Sequence, residues 1–288
     1  MPENGANVRQ RKVARTLREW RKSKGATQDD VAKQLRWSVP KLSRYERADT
    51  VAGPAEIIAI GTVLHIDEEE RDRLVRLAMA SFESGWWSAY SSEVVRGDFE
   101  DYLEVEAAAT KLRSFEIHLV PGLLQTADYY DAILRGGVRA VDDELAQART
   151  QLRRQRQARL DHEDHPLTYH AIVHESALQL PIGGAEVMRE QLDFLLARSE
   201  LGNVTVQVLP IDAGAYPGIG TAYHLVTFGP DHAEGVYLEN LHDGLYVEED
   251  EEIEVYTLAF ERLERRALPA DASADRIAEI RDSWGPRD

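Results

Sequence analysis

Eight side chains between Thr27 and Arg44 have the types and the spacing to hold a DNA duplex. Val39, Pro40, Lys41, Ser43 and Arg44 form one face of a short helix in the stretch SVPKLSRYE. An exposed face that mixes small, apolar and cationic groups reads base edges and holds phosphates. Ser38 just before it, with Thr27 and Gln28 opening the helix upstream, completes the set. Leu42 and Tyr45 lie three residues apart on the other side and face inward.

The flanking residues supply the elements that must carry this face. Thr27 is an N-cap candidate, with Asp29 and Asp30 in the first turn where a helix N-terminus favours acids. Val31, Ala32 and Leu35 share a face at helical spacing. Ser38 caps the second helix, and Pro40 is tolerated in its first turn, where a backbone N–H has no intrahelical partner. Val13, Leu17 and Trp20 recur at helical spacing in a preceding helix that ends at Gly25, and AEIIAIGTVLHI and DEEERDRLVRLAMA add two more. The expectation is a five-helix, mainly α N-terminal domain over residues 1–80.

This pattern resembles the Xre/Cro type of helix-turn-helix domain over roughly residues 9–80, and Gln28, Ser38, Ser43, Arg44 and Glu46 carry the resemblance. There are two departures. Arg36 stands where the turn usually has Gly, and a left-handed backbone there costs roughly 1 kcal/mol. Ala48 and Asp49 replace the usual Asn-Gly after the third helix.

Charge divides the chain in the same way. Residues 1–47 hold 13 Lys+Arg against 5 Asp+Glu, whereas the whole chain is net -17. A basic end on an acidic body fits a protein that touches DNA with that end. Length predicts two domains, and 43% hydrophobic residues is enough for packed cores. There is no apolar run of membrane-spanning length, and MPENGANVRQRK has no apolar stretch, so neither a span nor a secretory signal is expected. Cys is absent, which excludes disulfide and thiol chemistry and suits a reducing cytoplasm. Arginine far outnumbers lysine and alanine is abundant, a bias pointing to a high-GC, bacterial genome.

Residues 81–98 read as a linker, with Trp86, Trp87 and Tyr90 expected to pin the domains together. Residues 99–288 read as an α+β regulatory or dimerisation domain with a small, mostly antiparallel sheet. DFEDYLEVEAAATKLRSFEI reads as one helix, ADYYDAIL and DDELAQARTQLRRQRQARL as two more. LTYHAIVHE, NVTVQVLP, TAYHLVTFG, EGVYLENL and GLYVEED read as strands, the last three at hairpin spacing. GAEVMREQLDFLLARSE, DEEIEVYTLAFERLERRAL and ADRIAEIRDSW complete the helices. VPGLLQTADYY, LRRQRQ, HESAL, EQLDFL and NVTVQVLP resemble the domain of unknown function that follows the helix-turn-helix in Xre-type regulators of high-GC Gram-positive bacteria, over roughly residues 99–268. That resemblance implies a regulator associated with differentiation and antibiotic production, often encoded beside a small acidic partner protein. It implies no ligand and no chemistry.

Other candidates carry plainer readings. His162, Glu163, Asp164 and His165 are four adjacent metal-ligand types in a polar connector with no distant ligand, so a solvated role is expected. His170 and His174 share a strand face beside Glu175, the pattern of ordinary sheet histidines. Arg149, Arg153 and Arg156 share a helix face that suits an anion, against the favoured alternative of a basic face answering the acidic body. Gly214–Gly220 is a flexible loop that reads as a connection or a lid, and Glu248–Glu254 is a solvated acidic run at a helix start. No serine sits in a nucleophile elbow and no carboxylates pair, so neither an enzyme nor a cofactor or metal is expected.

The sequence thus points to a cytoplasmic, sequence-specific regulator of transcription. It is expected to bind double-stranded DNA as a homodimer on an inverted-repeat operator, while its C-terminal domain senses a small-molecule effector or protein partner, or dimerises. Two rivals remain: an antitoxin-like protein capturing a small partner, and an enzyme tethered to a DNA-binding module.

Overall fold

The computed structural model describes residues 6–95, 97–138, 140–228, 235–240 and 244–285, with the side chains of residues 97 and 98 left aside. It divides into two compact units, Met1–Ser88 and Ala89–Asp288.

The first unit is five helices: α1 (Val8–Ser23), α2 (Gln28–Leu35), α3 (Val39–Glu46), α4 (Pro54–Val63) and α5 (Glu68–Ala80). Each of the first three starts on a residue whose side chain accepts a hydrogen bond from the third helical amide: Asn7 from Gln10, Thr27 from Asp30, Ser38 from Lys41. Such caps satisfy amides that have no intrahelical partner. Leu17, Leu42, Ile57 and Ile60 are the buried centre, and Trp20 Nε1 donates to Glu70 of α5 at 2.6 Å. Arg36, between α2 and α3, is left-handed (φ 56°, ψ 36°), and Ala48 after α3 has φ 59°. The turn closes α2 because the amides of Arg36 and Trp37 reach back to the carbonyls of Lys33 and Ala32.

The second unit comprises α6 (Gly97–Ala108), β1 (Lys111–Glu116), α7 (Ala127–Arg135), α8 (Asp143–Gln157), β2 (Thr168–His174), α9 (Glu175–Gln179), α10 (Ala185–Ser199), β3 (Val204–Leu209), β4 (Tyr223–Thr227), β5 (Gly235–Glu239), β6 (Gly244–Val247), α11 (Asp250–Glu264) and α12 (Ala270–Ser283). The sheet runs β3-β2-β1-β4-β5-β6. The pairs β2–β3 and β1–β2 are parallel, while β1–β4, β4–β5 and β5–β6 are antiparallel, so the sheet is mostly antiparallel as expected.

The single helix expected from residue 98 to 117 is instead α6 followed by β1. Arg159 ends α6 by donating to the carbonyls of Glu106, Ala107 and Ala109. The chain is then captured by the ladder at Thr110, whose amide donates to Thr227 at 2.8 Å and whose carbonyl accepts from Thr168. Neither device lies near residue 110 in sequence, and an uninterrupted run of helix formers conceals both.

The two faces of the sheet differ in kind. Phe115, Ile172, Tyr223, Leu225 and Val236 pack against Ile253, Phe260 and Leu263 of α11. On the other face Ser114, His224 and Tyr237 lie in register across β1, β4 and β5. There the Tyr102 ring of α6 lies tilted against Tyr237, with centroids 4.4 Å apart, and against His224 at 5.5 Å. The outer side of β3 is closed by the approach to α12, where Leu268 N donates to Val208 O and Val208 N donates to Ser273 Oγ. A covered edge does not template further strand pairing.

Arg36→Gly should stabilise the first unit. Glycine relieves a left-handed cost of about 1–2 kcal/mol and returns about 0.4–1 kcal/mol as unfolded-chain entropy, for a net gain of about 0.5–1 kcal/mol. Arg36→Ala keeps the strain and should give no such gain. Urea unfolding of both variants checks this.

Candidate functional site

The eight residues expected to face DNA divide into positioners and exposed groups. Thr27 Oγ1 donates to Asp30 Oδ2 at 2.6 Å and accepts from Asp30 N at 3.2 Å, a reciprocal cap that occupies its hydroxyl. Gln28 Nε2 donates to Glu46 Oε2 at 2.8 Å. Ser38 Oγ accepts from Lys41 N at 3.3 Å. These three shape the two helices rather than standing free. Val39, Lys41 and Ser43 are half-buried, and Pro40 and Arg44 are exposed. The Lys41 ammonium lies 4.1 Å from the Trp37 ring centroid and 4.0 Å from Glu56 Oε1. Arg44 has neither an ion pair nor a side-chain hydrogen bond among the described residues.

Glu46, at the C-terminal end of α3, is nearly sealed from solvent. Arg21 of α1 clamps it through Nε (2.6 Å) and Nη2 (2.8 Å), with 2% of the Glu46 side chain exposed. Arg21 Nη1 also donates to Ala26 O at 3.0 Å. The hydrogen bond to Glu46 holds the guanidinium above its ordinary pKa, against the opposing effect of burial. A carboxylate at a helix C-terminus opposes the helix dipole, and the pair with Arg21 offsets that cost while tying α3 to α1.

Arg36 is a further exposed group that the sequence reading did not include. It is unpartnered among the described residues and carries backbone strain beside the N-terminus of α3. Its signal in the sequence was the absence of the usual glycine. Strain retained at an exposed cation suggests a use for that cation.

In the second unit the arginine face of α8 is not a solvated surface. Arg156 is buried and bidentate on Glu106 of α6, both contacts 2.7 Å. Burial opposes both charges, but each partner's field outweighs it, so Glu106 falls below and Arg156 rises above its ordinary pKa. Arg153 donates to Gly122 O at 2.9 Å and lies 3.7 Å from the Tyr130 ring centroid. A side chain at Gly122 would meet Arg153 Nη1 at 2.7 Å, so glycine is what permits that approach. Arg149 donates to Glu93 O at 2.9 Å. All three arginines line a cavity of about 320 Å³ between α8, α6 and the polar sheet face.

At the base of that cavity, Tyr169 OH donates to Ser114 Oγ at 3.1 Å, and Ser114 Oγ lies 2.7 Å from His224 Nδ1. His224 Nε2 is 3.5 Å from Glu116 Oε1. Burial pushes His224 down to about 4, with Glu106 and Arg156 acting on it in opposite senses. Burial, aided by Glu239 and opposed by Arg153, pushes Glu116 up to about 8. Both groups are therefore neutral near pH 7, and their contact is not an ion pair. The order Ser, His, Glu evokes a hydrolytic triad, but Ser114 is fully buried and is not a cavity wall.

The remaining candidates lie elsewhere. His170 faces Gln207 Oε1 at 2.7 Å and the edge of Phe260, on the α11 side. His174 caps α9 through Ser176, and Glu175 pairs with Arg276 at 2.5 Å. His162 and His165 stack beside each other, and no three His, Asp or Glu among the described residues are grouped to hold a metal ion. Gly214–Gly220 contributes nothing to the cavity, because its Tyr216 packs on Phe115 and His174. No described helix is long and apolar enough to cross a membrane.

Residues 99–279 match the family described as a domain of unknown function (DUF5753), and residues 12–74 match the helix-turn-helix domain. No curated protein and no solved structure matches the chain.

Glu46→Ala should cost the first unit about 3–5 kcal/mol, because it strands the Arg21 charge. Urea unfolding measures it, and a loss below about 1 kcal/mol would reduce the pair to an ordinary surface contact.

Glu116→Gln should flatten an alkaline loss of stability in the second unit. With its folded pKa raised to about 8 from 4.5, Glu116 adds stability that disappears as pH rises through 8. His224, depressed from 6.5, contributes only below pH 6.5. Between pH 6.5 and 8 the wild type should therefore lose about 1–2 kcal/mol that the variant retains. Unfolding free energies of the two proteins across that window give the comparison.

Proposed function

The chain belongs to the family of the domain of unknown function DUF5753, and we propose that it is a sequence-specific, DNA-binding regulator of transcription. One observation carries the reading. A helix-turn-helix unit carries on α3 an exposed Pro40, a half-buried Ser43 and an exposed Arg44, which, like the exposed Arg36 nearby, has no side-chain partner among the described residues. An exposed α3 edge of that composition suits a major groove, with Arg44 and Lys41 as base or phosphate contacts. Thr27, Gln28 and Ser38 act mainly by fixing the helices, with Gln28 Oε1 still able to accept from a neighbouring group. The basic balance of residues 1–47 supplies the long-range attraction.

The finer parts of the proposal rest on the sequence resemblance and on size. The first unit is of the Xre/Cro type, working in a bacterial cytoplasm. One such unit buries too little for tight specific binding, so a homodimer on an inverted repeat is the natural arrangement. The second unit far exceeds what DNA binding needs, which suits a regulatory role toward an effector or a small partner protein.

Selection of bound duplexes from a random pool would define the operator. On it, Arg44→Ala should weaken binding by about 1–3 kcal/mol. Lys41→Ala should cost less, because Lys41 must first leave Trp37 and Glu56. Arg36→Gly should weaken binding while stabilising the fold, and should lower the log–log salt slope by about 1. Wild-type affinity in both Arg44→Ala and Lys41→Ala would remove α3 as the reading helix.

A further inference from the structure

We propose that the cavity of the second unit is a binding site for a small apolar carboxylic acid carrying one further hydrogen-bond donor, and that its occupancy is transmitted along residues 90–95. This rests on the regulator reading above for its consequence, though not for the binding itself.

The first argument is size and lining. A cavity of about 320 Å³ lies within the range used for small organic ligands. Its apolar wall, including Phe99, Ile133, Leu134 and Leu152, suits a hydrocarbon or aromatic body.

The second argument is unspent hydrogen-bonding capacity. Gln125 is 5% exposed and spends its Nε2 on Val120 O at 2.6 Å, but its buried Oε1 has no partner among the described residues. Arg153 Nε is likewise buried without a partner among them. Both residues line the cavity. Native interiors rarely leave such groups unpaired, since each costs about 1–3 kcal/mol. A guest that brings an acceptor to Arg153 and a donor to Gln125 would answer both needs.

The third argument is sign. Arg156 is neutralised by Glu106, whereas Arg149 bonds a neutral carbonyl and Arg153 a neutral carbonyl and the Tyr130 side chain. Glu116 stays protonated near neutral pH, so among the described cavity residues Glu239 alone is a carboxylate opposing the guanidinium charges of Arg149 and Arg153. The excess favours an anion, and a carboxylate matches the guanidinium fork.

The fourth argument is position. The second unit begins at Ala89, directly after the DNA-binding unit in the chain. Tyr90 OH donates to Gln155 of α8 at 3.1 Å, and Arg149 holds Glu93 O. Val94 is itself a cavity wall. The first stretch of the second unit is thus both strapped to the arginine helix and in contact with the cavity. A guest that binds Arg149 as well as Arg153 acts directly on one of the groups that hold this strap.

Three probes sharing one ring test the proposal on the full chain: 3-(4-hydroxyphenyl)propionate, its primary amide, and tyramine, titrated calorimetrically at millimolar concentrations. The acid should bind saturably, the amide roughly tenfold more weakly, and tyramine not at all. Arg153→Gln should weaken the acid roughly tenfold, and Ile133→Trp, which fills the cavity from a half-buried position and leaves Arg153 intact, should abolish binding. The acid should also shift duplex affinity by roughly fivefold or more. Preference for tyramine, unchanged binding of the acid in both variants, or no binding of any probe overturns the site. Binding of the acid without a shift in duplex affinity overturns transmission through the strap. Failure of the chain to bind any duplex from a random pool would instead defeat the regulator reading, leaving the calorimetric result to decide the site alone.

Discussion

A buried carboxylate must be paired, and in each unit an arginine reaching from another helix does the pairing. In the first unit Arg21 clamps Glu46 and so ties α1 to the far end of α3, with Gln28 adding α2 to the same anion. In the second unit Arg156 clamps Glu106 and ties α8 to α6 over the polar sheet face. Breaking such a pair strands a charge in a medium that solvates it poorly, so the pair fixes geometry more than it adds net stability. The orientation of the exposed edge of α3 and the opening of the cavity both follow from where these guanidinium groups are held.

The contrast between the two sheet faces extends this logic. The α11 face is filled by aromatic and aliphatic side chains and leaves little room for chemistry. The opposite face carries Ser114, Glu116, His224 and Tyr237 in alternating register, where a continuous apolar face would be expected of a buried sheet. Polar groups on an interior face demand partners, and Tyr169, Ser114, His224 and Glu116 find them in one another. The cavity lies between this polar face and the arginines of α8.

Local signals made the first unit legible. The caps at Thr27 and Ser38, Pro40 in the first turn, and the inward Leu42 and Tyr45 all appear as read, and the departure at Arg36 marks a left-handed residue. What local signals could not give is how the polar candidates are spent, because Gln28 meets Glu46 only once α2 and α3 are packed. The second unit was legible where strands are bounded by turns, as in β4 to β6. It was not where the boundary is imposed from afar, as when Arg159 ends α6 and Thr227 captures Thr110. The arginines of α8 show the same limit. Their spacing was visible, but burial against Glu106 and Gly122 depends on partners about thirty to fifty residues away.

The chain contains no cysteine, so Ser43→Cys would carry its only thiol. An iron–EDTA group tethered there reports directly on whether α3 sits in the duplex. The account predicts strand cleavage confined to the selected operator and flanked by uncut DNA, whereas the same reagent on a Glu163→Cys variant, exposed in the second unit, should cut weakly or without focus. Focused cleavage from position 163 with none from position 43 would contradict it.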